Sequence, residues 1–166
     1  MSIKVSIDAS GGDFGFPVTI NAGINALKFY DDLLVNFVGD QTGIEKELKN
    51  NVLFSKFLSR IEITHASEVI NMDDSPSVAL RHKKDSSMRV AINLVKSGNA
   101  DACVSAGNTG ALMSIARFVL KTISGVDRPA IMSAVPTLTG PTHVLDLGAN
   151  IDSKPNTLLQ FAIMGS

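Results

Sequence analysis

Short apolar runs alternate along the chain with longer segments in which apolar residues recur every three or four positions. The short runs have the length of buried strands, and the longer segments have the periodicity of helices that pack on one face. This alternation is typical of an α/β fold, a doubly wound and mostly parallel sheet with helices on its faces. Strands are predicted near residues 3–8, 33–38, 60–65, 101–105, 130–135 and 142–147.

Helical periodicity is clearest in three segments. Ile20, Ile24 and Leu27 share one face of a helix between the first two predicted strands, and a second helix is predicted over residues 87–97. A third is predicted over residues 109–121. Its expected inward positions are Leu112, Met113, Ala116, Val119 and Leu120.

The remaining segments give weaker patterns. One or two short helices are expected within residues 41–58, and residues 71–77 are expected to form a loop. A last helix is predicted from Pro155, with an apolar face for which the sequence offers no partner. We therefore expect residues 1–166 to be the N-terminal part of a single α/β domain whose remainder lies outside this chain.

Composition narrows the function classes. The 166 residues are 45% hydrophobic and carry 15 basic against 16 acidic side chains, so there is a core to bury and no global field that would attract nucleic acid. One cysteine, Cys103, cannot form an internal disulfide or a cysteine-based zinc site, and the three histidines lack metal-ligand spacing. We expect no metal and no cofactor. The single cysteine fits a reducing compartment, for which the cytoplasm is the simplest choice. The early carboxylate, Asp8, argues against a signal peptide, and no apolar run is long enough to cross a bilayer.

The strongest candidate for chemistry is the turn at residues 105–110, which we call the 105–110 turn: an apolar strand runs into small residues and then into a helix. Small residues let backbone N–H groups approach an anion, and a helix N-terminus adds unpaired N–H groups and a positive dipole end. The candidate ligands are Ser105, Gly107, Asn108, Thr109 and Gly110. The alternative is an ordinary strand-to-helix turn in which Asn108 and Thr109 only cap the helix.

A second candidate follows the first strand, where Gly11, Gly12 and Gly15 lie between Asp8 and Asp13. The spacing matches neither a dinucleotide fingerprint nor a Walker A loop. The two carboxylates would repel phosphate, so we expect them to pin the loop, to bind an amine or hydroxyl, or to act as an acid and base pair. A tight turn with an aspartate cap is the alternative.

Two further groups are weaker. The basic segment that contains Arg81 and Lys84 could meet a phosphate or an acidic protein, or it could be a solvated face. Asp146 and Asn150 follow the last predicted strand, where they could line a crevice shared with the first two turns or simply stabilise their own turn. Cys103 is expected to be a buried hydrophobe rather than a nucleophile.

Several of these segments together resemble the PlsX family, the acyl-carrier-protein:phosphate acyltransferases of bacterial phospholipid synthesis. The resemblance is carried by DASGGDFG from Asp8, CVSAGNTGALM from Cys103 and LDLGAN from Leu145, with SSMRVA from Ser86 and RPA from Arg128. It runs from Ile3 to the end of the chain. The first loop departs from the family, which usually has methionine where this chain has Ser10 and places its proline directly after the glycine.

This resemblance implies a three-layer fold like that of phosphotransacetylase and isocitrate or isopropylmalate dehydrogenase. It implies a cytoplasmic homodimer with peripheral membrane attachment, acting on acyl carrier protein and inorganic phosphate. The expected catalytic residues are Asn108 and Thr109. The expected binding residues are Gly11, Gly12, Asp13, Arg81, Lys84, Ser105, Gly107, Gly110, Asp146 and Asn150. Two rivals remain, an acetyl- or butyryltransferase that uses coenzyme A and a non-catalytic module that binds an acyl or phosphate ligand.

Overall fold

A computed structural model of the chain describes residues 2–148, 150 and 152–166. It contains two compact units, Met1–Val119 and Leu120–Ser166. Among the described residues no helix is both long enough and apolar enough to span a bilayer.

The first unit is built on a sheet of four parallel strands: β1 (Ile3–Asp8), β2 (Leu33–Gly39), β3 (Ile61–His65) and β4 (Ala102–Ser105). Their order in the sheet is β3-β2-β1-β4. The first four predicted strands are thereby confirmed. The chain first moves from β1 outward to β3 and then returns to place β4 on the other side of β1, so the order reverses between β1 and β4.

Helices α1 (Phe16–Phe29) and α2 (Gln41–Asn50) cover one face of the sheet. The predicted stripe of Ile20, Ile24 and Leu27 is fully buried there against Val35 and Phe37 of β2. Short 3-10 turns at Phe54–Lys56 and Leu58–Arg60 follow α2. Expected short helices in this region are thus confirmed.

The opposite face is covered by α4 (Ser87–Lys96), whose Ala91 packs with Val38 and Ala66. Helices α3 (Pro76–His82) and α5 (Thr109–Leu120) pack with α4 in a second cluster. Helices on both faces of a parallel sheet make three layers, so the expected doubly wound α/β class is confirmed.

Two local expectations on this face are met only in part. Residues 71–77 were expected to be a loop, but α3 starts at Pro76 because the Ser75 hydroxyl accepts a hydrogen bond from the N–H of Val78. The fully buried positions of α5 are Ala111, Ile115 and Val119, of which only Val119 was expected. The expected Leu112 and Ala116 are partly buried against the same cluster. The stripe is turned because α5 packs against the side chains of α3 and α4.

The second unit holds a two-stranded antiparallel sheet, β5 (Met132–Thr137) and β6 (Gly140–Leu145), and helix α6 (Pro155–Gly165). The last two predicted strands exist, but they pair with each other rather than joining the parallel sheet. Two residues connect them, and parallel neighbours need a crossover of a dozen or more. Within this unit Gln160 of α6 exchanges two hydrogen bonds of 2.9 Å with Asp127.

Candidate active site at the carboxyl ends of β1 and β4

The carboxyl ends of β1 and β4 bring the first loop and the 105–110 turn together. Asp8 and Ser105 are the last residues of their strands and are paired in the sheet register. The Ser105 hydroxyl donates to Asp8 Oδ2 at 2.7 Å, and the N–H of Gly107 donates to Ser105 Oγ at 3.0 Å. In open α/β sheets ligands bind outside the carboxyl ends of strands where the strand order reverses, which is this position.

Glycines let the two loops pack backbone to backbone. A β-carbon on Gly11 would lie 2.5 Å from Asp8 Oδ2 and 3.1 Å from the nitrogen of Gly107. Gly12 has φ +85°, and a β-carbon there would lie 3.1 Å from the carbonyl oxygen of Ala106. Two of the predicted glycines, Gly11 and Gly12, are therefore placed where a side chain would push the loops apart.

The side chain of Asn108 forms hydrogen bonds within the protein. Its Nδ2 donates to the carbonyls of Met72 and Asp74 at 2.9 Å each and to that of Asn71 at 3.3 Å. Its Oδ1 accepts from the N–H of Ala111 at 2.9 Å, which caps α5. Asn108 thus ties the start of α5 to the segment at residues 71–74 and fixes the shape of the turn.

The segment at residues 71–74 is itself held in place by an ion pair. Lys83 donates to Asp74 and, at 2.7 Å, to the carbonyl of Val69. The Lys83 ammonium beside it, with the N–H of Asn71, holds the pKa of Asp74 below its usual value. Lys83 was not among the predicted binding residues, because nothing in the local sequence distinguishes one lysine from its neighbours in a basic run.

Two backbone donors remain available at the N-terminus of α5. The N–H groups of Thr109 and Gly110 precede the first intrahelical bond and meet no acceptor within the described chain, and both residues are exposed. Gly110 also lets α3 come close, since a β-carbon there would lie 3.0 Å from Pro76. These N–H groups and the positive helix end suit a small anion.

Asp8 is a buried carboxyl at this place, and its pKa is raised. It is 1% exposed, and its Oδ1 is buried without a hydrogen-bond partner among the described residues. Burial raises its pKa above the ordinary value; the nearby Ser87 hydroxyl, and the bonded Ser105 hydroxyl after it, reduce the rise without cancelling it. Beneath the turn, burial raises the pKa of the Cys103 thiol to about 11, so this cysteine stays protonated at neutral pH, as a packing residue would.

Three predicted binding residues make no side-chain contact that the described residues record: Asp13, Arg81 and Lys84. All three are exposed. Arg81 lies near the end of α3, and Lys84 lies in the turn between α3 and α4. Their roles stay predictions.

The profile of the family described as "Fatty acid synthesis protein" matches residues 3–166. The chain belongs to this family. It is 65% identical over 166 residues to the phosphate acyltransferase of Ruthia magnifica subsp. Calyptogena magnifica, covering 100% of this chain and 49% of that protein. It is 57% identical over 165 residues to that of Legionella pneumophila (strain Paris), covering 99% of this chain and 48% of that protein.

A third relative, the phosphate acyltransferase of Methylococcus capsulatus (strain ATCC 33009 / NCIMB 11132 / Bath), is 56% identical over 161 residues, which are 97% of this chain and 47% of that protein. The chain therefore spans about half the length of the curated relatives it matches. The resemblance seen in the sequence is confirmed at the level of the family.

In this member of the fatty acid synthesis protein family, Asp146 and Asn150 lie in the second unit. The N–H and Nδ2 of Asn150 donate to Asp146 Oδ1 at 3.1 and 3.0 Å, and Ser153 donates to Asp146 Oδ2 at 3.3 Å. Asp146 has φ +66°, the left-handed conformation that aspartate tolerates in turns. The two residues stabilise their own turn, and the role predicted for them as ligands stays a prediction; Ala149 of the LDLGAN segment is outside the described residues.

An apolar groove of about 400 Å³ lies on the face of the sheet that carries α1. Its walls come from α1, β1, β2 and β4, and it reaches Asp8 and Ala106. Val104 of β4 is 54% exposed in it. This family member thus presents bare apolar sheet surface beside the 105–110 turn.

Proposed function

We propose that the full-length protein is a phosphate acyltransferase that acts early in bacterial phospholipid synthesis. It converts long-chain acyl carrier protein and inorganic phosphate to acyl phosphate and the free carrier. The observation that carries the proposal is the exposed pair of N–H donors at Thr109 and Gly110, at the point where the strand order reverses, in a chain whose relatives are named phosphate acyltransferase. The unpaired N–H groups and the positive end of the dipole at a helix N-terminus are enough to bind phosphate.

The reaction asks for positioning rather than for an enzyme nucleophile. A phosphate oxygen attacks the thioester carbon, the C–S bond breaks, and the departing thiolate takes up a proton. The protein then has to hold phosphate against the carbonyl and to donate to the developing oxyanion. The N–H groups at residues 109–110 and the Thr109 hydroxyl supply such donors, while Asn108 and Ser105, which accepts from the N–H of Gly107, keep the turn in shape.

The other expected residues enter the proposal with less support. The exposed Arg81 and Lys84 carry charge that suits phosphate or the acidic carrier protein. Asp13, Asp146 and Asn150 are kept as ligands of the assembled site. A cytoplasmic homodimer attached peripherally to the membrane, with no cofactor, completes the proposal.

The test uses the full-length protein with long-chain acyl carrier protein. Free carrier thiol should appear only when phosphate is present. Trapping of the acyl phosphate with hydroxylamine should recover about one acyl hydroxamate for each thiol released. The same acyl group on coenzyme A, supplied in parallel, separates the two donors. Equal or faster turnover of the coenzyme A thioester would favour the rival transferase, and ligand binding without thiol release would favour a non-catalytic module.

Asn108 gives a sharper test of the site. Asn108→Ala removes the α5 cap and three bonds to the segment at residues 71–74, so we expect a loss of about 2–4 kcal/mol in the free energy of unfolding. We also expect the KM for phosphate to rise about 10-fold or more, since the donors lose their support. Asn93→Ala, at an exposed position of α4, is the control and should leave both quantities nearly unchanged. An unchanged phosphate KM in a folded Asn108→Ala protein would remove the residue from the site.

A further inference from the structure

Asp8 does not behave like a residue that only pins a loop. A carboxylate that merely anchored the loop would have both oxygens bonded, whereas Asp8 leaves Oδ1 buried and unpartnered among the described residues. Ionisation of such a group is costly, because a buried charge without full hydrogen bonding loses its hydration. The neutral acid tolerates this surrounding better.

The Ser105 hydroxyl connects Asp8 to the 105–110 turn. A hydroxyl has one hydrogen to donate and two lone pairs to accept with. When Asp8 is ionised, Ser105 donates to it, accepts from the N–H of Gly107, and has only a lone pair left to present to a ligand. When Asp8 Oδ2 carries a proton, that proton fills the second lone pair of Ser105, and the hydroxyl hydrogen is released to donate elsewhere.

We propose that phosphate binding at the 105–110 turn is coupled to protonation of Asp8, which acts through Ser105 as a positioning residue for the anion. This inference rests on the proposed function, since it takes phosphate as the ligand of the turn. One proton moves from solvent to Asp8 Oδ2, and the Ser105 hydroxyl turns from the carboxyl to a phosphate oxygen. The change removes a negative charge next to the anion and adds a donor to it.

The other charged groups on the surrounding elements have partners of their own or are exposed. On β1, Lys4 pairs with Glu62 at 2.7 Å, and on β4 the Cys103 thiol is neutral. On α4, the guanidinium carbon of Arg89 lies 5.2 Å from the centre of the Phe118 ring.

Two more charged groups complete the surroundings. Lys96 at the end of α4 donates to the carbonyl of Val119, and Asp13 on the first loop is exposed. The protonation of Asp8 is therefore set by its burial, by the neighbouring serine hydroxyls and by the bound anion.

The experiment measures protons taken up per phosphate bound, by calorimetry of the full-length protein in two buffers of different ionisation enthalpy near pH 7.5. Phosphate itself titrates, so the quantity compared is the difference between wild type and Asp8→Asn, an isosteric change that is always neutral. We expect wild type to take up as much as about one proton more than Asp8→Asn. On raising the pH, phosphate affinity of wild type should fall by up to about 10-fold per unit relative to the variant.

Two further variants guard the interpretation. Asp32→Asn removes an exposed carboxylate before β2 and should keep the wild-type uptake. Ser105→Ala keeps Asp8 but cuts its path to the turn, so the extra uptake should shrink even if Asp8→Asn fails to fold. Equal uptake in wild type and Asp8→Asn, or undiminished uptake in Ser105→Ala, overturns the coupling while leaving phosphate binding intact. A full-length protein that binds no phosphate removes the proposed function and this inference together.

Discussion

At the scale of single residues, burial decides what each polar side chain does. Asp8 and Asp13 flank the same glycines, but Asp8 is 1% exposed and bonded to Ser105, whereas Asp13 is exposed. From the sequence both carboxylates had the same three possible roles, and only Asp13 was named among the expected binding residues. Alternation along β1 sends Ser6 and Asp8 to the side of α4, and this buries a carboxyl that the sequence shows only as the end of a strand.

This burial predicts a pH dependence of stability. The folded-state pKa of Asp8 is raised, so its stabilising contribution is complete below the pKa of about 3.9 in the unfolded chain and is lost as pH rises through the folded value. Asp8→Asn should therefore gain stability relative to wild type as pH rises from about 4 until Asp8 is ionised, and then hold a constant difference. Urea unfolding of both full-length proteins across this range measures it. A difference that stays flat, or that runs the other way, contradicts the raised pKa.

At the scale of elements, the site is made by two turns that fit each other. Gly12 fits only as glycine both because its φ is +85° and because the carbonyl of Ala106 stands against it. Gly98, after α4, has φ +74° with nothing within 4 Å of an added β-carbon. The two glycines share the backbone requirement and differ only in the neighbouring loop.

Alanine at these two positions separates strain from contact. Gly98→Ala should cost about 1–2 kcal/mol of unfolding free energy, the penalty for a left-handed residue that has a side chain. Gly12→Ala should cost about 1–2 kcal/mol more, because the loops must separate, and it should also raise the phosphate KM. Chemical denaturation and phosphate kinetics of the full-length variants measure both. Equal costs, with unchanged phosphate kinetics in Gly12→Ala, would mean that the contact between the loops does not shape the site.

At the scale of the whole molecule, the chain leaves part of its sheet bare while spanning about half the length of its relatives. Among the residues that the structure describes, strand β4 is hydrogen bonded to β1 on one side only, and Val104 faces an apolar groove. Apolar surface of this kind is normally covered by another element. We expect the remainder of the full-length protein to cover β4 on the side of α1.

A charged side chain introduced into this groove tests whether the groove is covered in the full-length protein. In the full-length protein, Val104→Asp should lower the unfolding free energy by about 2–4 kcal/mol, because it places a carboxylate under apolar cover. Val52→Asp, at a position 89% exposed, should cost no more than about 0.5 kcal/mol. Similar small costs in thermal or denaturant unfolding of the two variants would show that the groove stays open in the whole protein.

The amino-acid sequence by itself determined the succession of β1 to β4 with helices α1, α2 and α4, and the small-residue turn that begins α5, because periodicity and turn chemistry are properties of neighbouring residues. The strand pattern did not show that β5 and β6 pair with each other rather than join the parallel sheet. The two-residue connection between them is the reason, because it is too short for a parallel crossover. Tertiary structure alone joined Asp8 to Ser105 across 97 positions and Asn108 to Asp74 across 34. Burial and hydrogen bonding at such separations arise only when the sheet and its helices have packed, and they decide which of several similar polar residues holds a proton or fixes a turn.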